Sequence, residues 1–286
     1  MMCVTHSHSL RNCYFISQWR WRKEGLAAQS MKTYLAVIRS MHISLGFPDP
    51  RANSSLPILR RIQAGIQRVQ SSKGTRSNRV RLLITPLILE KLRAHWDTTG
   101  HPTKLTLWGV STLCFAGFFR LGELLPTSAS KEALAGCIQW GDVTVDNIQT
   151  PSMVRIHLRR SKCDQFGKGV DIFIGKASSP RCPVVAVIVY MFTRGSRSGP
   201  FFLDHQGNLL LKPRFIAELR TALTAVGLDQ ASFTGHSFRI VAATAAAQAG
   251  LADSTIQTLG RWNSVAFLNY IHTPRHQLAS LTGSFM

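Results

Sequence analysis

The hydrophobic period of this chain changes twice along its length, and those two changes fix the kind of fold it can adopt. Residues 29–45 place Met31, Tyr34, Leu35, Ile38, Met41 and Leu45 at three- and four-residue steps, with Ser30 available as an N-cap. That spacing predicts an amphipathic helix. Residues 55–70 repeat the design with Leu56, Leu59, Ile62, Ile66 and Val69. Thr85-Pro86 opens a further helix through Trp96, and residues 104–119 make a strongly apolar one. Between residues 138 and 174 the period falls to two. Val154, Ile156 and Leu158 alternate with Arg155, His157 and Arg159, and Val170, Ile172 and Ile174 alternate with Asp171 and Phe173. The polar loop RRSKCDQFGKG between these runs predicts a β-hairpin with a basic tip. Helical spacing then returns over 183–193, 213–226, 237–249, 253–259 and 264–272, punctuated by Gly195, Gly227, Gly250 and Gly260. The expected class is mainly α with a small antiparallel sheet, an α+β pattern.

Charge narrows the choice of partner. The chain of 286 residues carries 34 Lys/Arg against 14 Asp/Glu, a net charge of +20, and 45% of its residues are hydrophobic. That apolar fraction supports buried cores and excludes a disordered basic tail. The longest apolar run, residues 184–192, is far shorter than the ~20 residues of a membrane helix, and no amphipathic helix with an exposed bulky face stands out. No membrane partner is expected. The N-terminus lacks the basic and leucine-rich succession of a secretory signal. Six cysteines, at 3, 13, 114, 137, 163 and 182, form no C-x-x-C, and the ten histidines are dispersed, His6 and His8 included. Reduced structural thiols and no metal site are the expectation. A basic surface of this density calls for a polyanion, and nucleic acid leads.

The charge is concentrated early: residues 1–80 hold 13 Lys/Arg and 2 Asp/Glu. Lys32 and Arg39, seven residues apart, share one helix face, and Arg60, Arg61 and Arg68 lie off the second apolar stripe. One such helix is an ordinary solvated face; two in so basic a segment make a saddle for phosphates. Residues 71–81, SSKGTRSNRVR, bring Arg76 and Arg79 in a polar stretch and read as a linker. A small helical domain, residues 1–78, therefore precedes a larger one, residues 82–286.

The chemistry is concentrated near the C-terminus, in TGHSFRI and LGRWNSVAFLNYIHTP. Thr234 and Gly235 open a helix on which His236 and Arg239 are three apart, so an imidazole and a guanidinium converge on one anion near a helix N-terminus. H-x-x-R alone is weak. It is joined by Trp262, by Tyr270 eight residues later and, far upstream, by Arg120 and Glu123 in AGFFRLGEL.

With Lys162 of the hairpin loop, this ordered set resembles the active site of the tyrosine recombinase (phage integrase) family. The wording SKCDQFGKG, TGHSFRI and LGRWNSVAFLNYIHTP is similar to the branch carried by eukaryotic mobile elements of the Crypton and DIRS type. The resemblance spans about residues 25–286. It implies a tyrosine-recombinase-like catalytic domain preceded by an incomplete core-binding-like helical domain, in an enzyme that cleaves and rejoins double-stranded DNA. The bare residues fit that chemistry. A phosphodiester anion repels nucleophiles, so cleavage needs cations on its oxygens, a nucleophile, and an acid for the leaving alcohol. Arg120 and Arg239 suit the first task because guanidinium forks bind phosphate bidentately and stay charged. The phenol of Tyr270 suits the second. By the family's scheme the intermediate is a 3′-phosphotyrosine, Lys162 protonates the departing 5′-oxygen, His236 takes the tyrosine proton or bonds the phosphate, Trp262 offers its indole N–H, and Glu123 supports the site. No metal or cofactor is implied. Dimers on DNA, a tetrameric synapse and a nuclear location are further implications.

Each residue has a rival role. Arg120 and Glu123 can be a surface pair at a helix end, although an arginine in so apolar a stretch favours function. Lys168 competes with Lys162 on the same loop, and Trp262 can be a core aromatic. The nearest other tyrosine, Tyr190, falls in an apolar helix and reads as core. Ile240 stands where many bacterial relatives have histidine, Trp262 where histidine is usual, and Tyr270 follows Trp262 by eight residues where many relatives have nine. A DNA-binding protein with no surviving activity and a type IB topoisomerase are the competing functions; motif order and wording weigh against the latter.

Overall fold

The computed structural model describes residues 28–49, 57–72, 84–161, 164, 167–233 and 237–271. They fall into two compact units divided between residues 79 and 80. The first unit contributes helices α1 (Ala28–Ser44) and α2 (Pro57–Ser72), which pack on each other. Residues 71–72, expected in the linker, continue α2, and residues 73–83 lie outside the described residues. Leu35 and Ile66 are buried as the periodicity requires, but Tyr34, Met41, Leu45 and Val69 of the expected stripes are exposed.

In the second unit α3 (Pro86–Thr98) starts from Thr85, whose hydroxyl accepts from the Ile88 N–H, with Pro86 pre-set for the first turn. It leads into α4 (Lys104–Ala116), buried along most of its length. The apolar run reads as helix to residue 119, yet α4 stops three residues earlier. Gly117 closes it, and a Cβ there would lie 2.2 Å from the Phe119 ring. Phe118 follows with φ +52°, turning the chain into the short helix α5 (Leu121–Leu124). A second short helix, α6 (Lys131–Ala135), and a 3-10 turn (Trp140–Asp142) precede the sheet.

Three antiparallel strands, β1 (Val143–Val145), β2 (Met153–Leu158) and β3 (Val170–Gly175), lie in chain order. Pairing of Ile156 with both Val143 and Ile172 sets the register, which puts Val154, Ile156 and Leu158 on the core face and Arg155 and His157 on the other. The hairpin matches its expectation; β1 is too short to show an alternation. Val170 is more exposed than the alternation implies.

The remaining elements are α7 (Pro183–Arg194), α8 (Lys212–Ala225), a 3-10 turn (Gln230–Ser232), α9 (Ser237–Gln248), α10 (Asp253–Gly260) and a 3-10 segment (Val265–Tyr270). Helix α4 packs against α3, α7 and α9, and α7 also packs on β3. One cluster containing Trp96, Leu113, Phe119, Ile156, Val187, Phe201 and Phe215 fills this unit. A second, smaller cluster of Phe118, Ala242, Ala243, Ile256 and Phe267 gathers α9, α10 and the 3-10 segment. The helix expected over 264–272 is a tighter 3-10 coil: helical periodicity does not separate the two forms over six residues.

Tyr190 is core, as its apolar helix predicts. Its hydroxyl donates to the Phe201 carbonyl at 2.9 Å and accepts from the Leu203 N–H at 2.7 Å. Burial pushes its pKa up to about 12. Tyr190→Phe strands the Leu203 N–H and is expected to cost about 1–3 kcal/mol in urea unfolding near neutral pH. The raised pKa means that this tyrosine's pH-linked stability is intact below about pH 10, where the unfolded phenol is protonated, and is lost as the pH climbs toward about 12. A smaller alkaline loss of stability in Tyr190→Phe than in the wild type checks the sign.

Candidate active site around Arg120 and Arg239

Arg120 caps helix α5. Its backbone N–H donates to Glu123 Oε2 at 2.8 Å and its guanidinium donates to Glu123 Oε1 at 2.7 Å, so one carboxylate fixes both ends of the residue. The Arg120 side chain is 22% exposed, and that of Glu123 only 6%. A carboxylate so buried requires cationic company. It has two cations: the Arg261 guanidinium donates to Glu123 Oε2 at 3.0 Å, from 138 residues away in sequence.

Arg239 lies on α9 and is 3% exposed. It donates to the Phe118 carbonyl at 2.8 Å and to the Gly260 carbonyl, and its guanidinium carbon sits 4.5 Å over the Trp262 ring. Such a contact adds a cation–π attraction to the hydrogen bonds. Arg261 donates to the same Phe118 carbonyl at 3.2 Å and to that of Gly117 at 2.9 Å. Arg120, Glu123, Arg261, the Phe118 carbonyl, Arg239 and Trp262 thus form one connected network.

The backbone is strained where this network closes. Phe118 (φ +52°) and Arg261 (φ +55°) are the two non-glycine residues with left-handed backbone among those described. Each such residue costs about 1–3 kcal/mol and persists only where its surroundings over-determine it. Here the Phe118 carbonyl holds two guanidinium groups, and Arg261 itself ends α10. Gly260 adds a steric requirement: a Cβ there would lie 1.6 Å from the Trp262 ring, so the indole packs directly on its backbone.

Phe118 meets Trp262 edge-on, with centroids 6.0 Å apart, and Phe267 packs on it at a tilt, with centroids 5.8 Å apart. It is therefore both a core aromatic and a partner of Arg239. Tyr270 ends the 3-10 segment, between Phe267, which is buried, and Ile271, which packs on the same cluster. Its backbone is thereby tied to the elements that carry Arg239 and Trp262.

The structure brings together Arg120, Glu123, Arg239 and Trp262, and places the Tyr270 backbone on the same cluster. Lys162 and His236 lie outside the described residues. Lys168, the rival lysine, is exposed, and its N–H donates to the Asp164 carboxylate at 3.2 Å. The cations expected to track DNA belong to the first unit. Arg61 and Arg68 are exposed on α2, and the backbone places Lys32 on α1 and Arg60 on α2. Arg39 donates to Asp49 at 2.7 Å, so its charge is met within that unit. Arg76 and Arg79 lie outside the described residues.

The sequence analysis assigns Trp262 a role but not its neighbour Arg261. A signal was present: Tyr270 follows position 261 by nine residues, the step given above for many relatives, and Trp262 by only eight. If Glu123 is the common anchor, Glu123→Ala leaves two guanidinium groups without their carboxylate, and a loss of about 3 kcal/mol is expected in urea unfolding. A loss below about 1 kcal/mol, the scale of a surface pair, would show the network to be peripheral.

No family model matches the chain. A curated relative, the integrase/recombinase xerD homolog of Selenomonas ruminantium, is 29% identical over 246 residues, covering 83% of this chain and 66% of that protein, just under two thirds of its length. The crystal structure of the XerA recombinase superposes with a TM-score of 0.52 at 14% identity, covering 96% of this chain and 82% of that one. The integrase of transposon Tn1549, in complex with a circular intermediate DNA, superposes with a TM-score of 0.59 at 11% identity, covering 94% and 84%. The chain has the fold of the tyrosine recombinases, the family its ordered motifs resemble, and is similar in sequence to an integrase/recombinase of the XerD kind.

Proposed function

We propose that this chain is a site-specific DNA strand transferase, a recombinase or integrase that cuts and rejoins duplex DNA through Tyr270. One observation carries the reading: Arg120 and Arg239, remote in sequence, are joined through Glu123, Arg261 and the Phe118 carbonyl in a fold shared with recombinases. Two guanidinium groups held this way meet the electrostatic demand of a phosphodiester, whose shared negative charge must be offset before a nucleophile can approach. Preorganised by carbonyls and a carboxylate, they lose little freedom on binding phosphate.

In the proposed step the Tyr270 phenol oxygen forms a bond to phosphorus and its proton passes to His236. The bond from phosphorus to the 5′-oxygen breaks, and Lys162 protonates that oxygen. The products are a 3′-phosphotyrosine and a free 5′-hydroxyl, and the reverse step rejoins a strand. Charge and protons balance within the chain's own side chains, so the scheme calls for no metal ion or cofactor. The basic residues of the first unit, Lys32, Arg60, Arg61, Arg68, Arg76 and Arg79, would contact phosphates of the same duplex, while Arg39 is met by Asp49. Dimers on each site, a tetrameric synapse, descent from a mobile element of the Crypton or DIRS type, and action in the nucleus belong to the same reading.

A duplex nicked near the cleavage point traps the covalent intermediate by letting the short 5′ product diffuse away. Wild-type protein is expected to give an adduct, and Tyr270→Phe to give none while duplex affinity stays within about threefold. An adduct that survives Tyr270→Phe removes that residue from its role; duplex binding without an adduct from the wild type points to the silent DNA-binding protein. The affinity itself is expected to fall steeply with salt, by roughly 10³-fold between 50 and 200 mM if about six phosphates are contacted. A flat response would count against the basic grip.

A further inference from the structure

We propose that Arg261 is a positioning residue that sets Arg120 and Arg239 at their working separation, an inference that rests on the strand-transfer reading above. Each of those two arginines shares an acceptor with it. Glu123 Oε1 receives Arg120 while Oε2 receives Arg261, and the Phe118 carbonyl receives both Arg239 and Arg261. Through these contacts Arg261 joins the start of α5 to the turn that ends α4 and to the end of α10.

Three features fit a positioning role better than bare packing. The Arg261 guanidinium spreads its donors over the Gly117, Phe118 and Leu259 carbonyls and the Glu123 carboxylate, which the planar fork of arginine can do and a lysine ammonium cannot do at the same distances. Its backbone adopts the left-handed conformation at φ +55°, where glycine is the easy choice. An arginine that tolerates this strain at a helix end is held there by what its side chain reaches. Its side chain is 12% exposed, so the contacts are made largely away from water, where their geometry is stiff.

Removal of Arg261 leaves Glu123 paired with Arg120 and leaves Arg239 on the Phe118 and Gly260 carbonyls. The fold therefore has a route to survive while the spacing between the two arginines relaxes. Misplacement of about 1 Å costs roughly 100-fold in rate where two groups must converge on one centre.

The test uses the full chain and two nicked duplexes, one with the ordinary scissile phosphodiester and one in which a methyl group replaces a non-bridging oxygen. The methylphosphonate is neutral, so its cleavage depends far less on the two arginines. Arg261→Met is expected to form the adduct roughly 100-fold more slowly than the wild type on the phosphodiester, with duplex affinity within about threefold. On the methylphosphonate the same variant is expected to fall within about fivefold of the wild type. Arg261→Lys, which keeps the charge and loses the fork, is expected to follow Arg261→Met, and it replaces that variant in the comparison if Arg261→Met does not fold. An equal deficit on both duplexes assigns Arg261 to packing alone and overturns the proposal, as does an undiminished rate on the phosphodiester. Wild-type protein that gives no Tyr270 adduct overturns the strand-transfer reading itself, and this inference with it.

Discussion

The carbonyl oxygen of Phe118 accepts hydrogen bonds from two guanidinium groups that reach it from the far end of the sequence, and the site is built outward from that oxygen. The carbonyl points where it does because α4 ends at Ala116 and the chain turns through a left-handed phenylalanine. Had the helix run on through residue 119, the oxygen would have faced along the helix axis, toward its own chain. The turn thus converts an apolar segment, whose side chains serve two cores, into a polar anchor for α9 and α10.

Strain and burial act together at this point. Two left-handed residues and two poorly exposed guanidinium groups are each unfavourable alone. They are offset by a buried carboxylate, by three backbone carbonyls and by the aromatic faces of Trp262 and Phe119, over which Arg239 and Arg261 lie. The arrangement trades some stability for geometry, since an apolar cluster of the same volume would hold α4, α9 and α10 together at lower cost. What it adds is a set of directed hydrogen bonds that fixes where each guanidinium group lies.

The basic balance of the chain has a different character in its two parts. In the larger unit many arginines are tied inward: Arg194 donates to the Phe201, Gly195, Arg197 and Pro200 carbonyls, and Arg159 to the buried Asp142. In the smaller unit Arg61 and Arg68 remain in solvent, with few acidic residues to meet them. Net charge alone does not separate a structural arginine from one offered to a polyanion. The carbonyls and carboxylates around each do.

The sequence by itself determined the succession of helices, hairpin and helices, because period and length report burial directly: β2, β3, α3 and α7 lie close to where the pattern placed them. It also singled out Arg120, Glu123, Arg239 and Trp262 by their order along the chain, which resembles that of the tyrosine recombinases, and Arg120 further as a charge within an apolar stretch. Only the tertiary structure decided how these residues are held. The stop of α4 at Ala116, the 3-10 form of residues 265–270 and the short strand β1 depend on contacts between distant segments, which local propensity does not encode. Arg261 shows the reason most clearly. In the sequence its nine-residue step to Tyr270 marks the position but not its contacts: its partners Gly117, Phe118 and Glu123 lie more than a hundred residues away, so only folding brings them to its guanidinium.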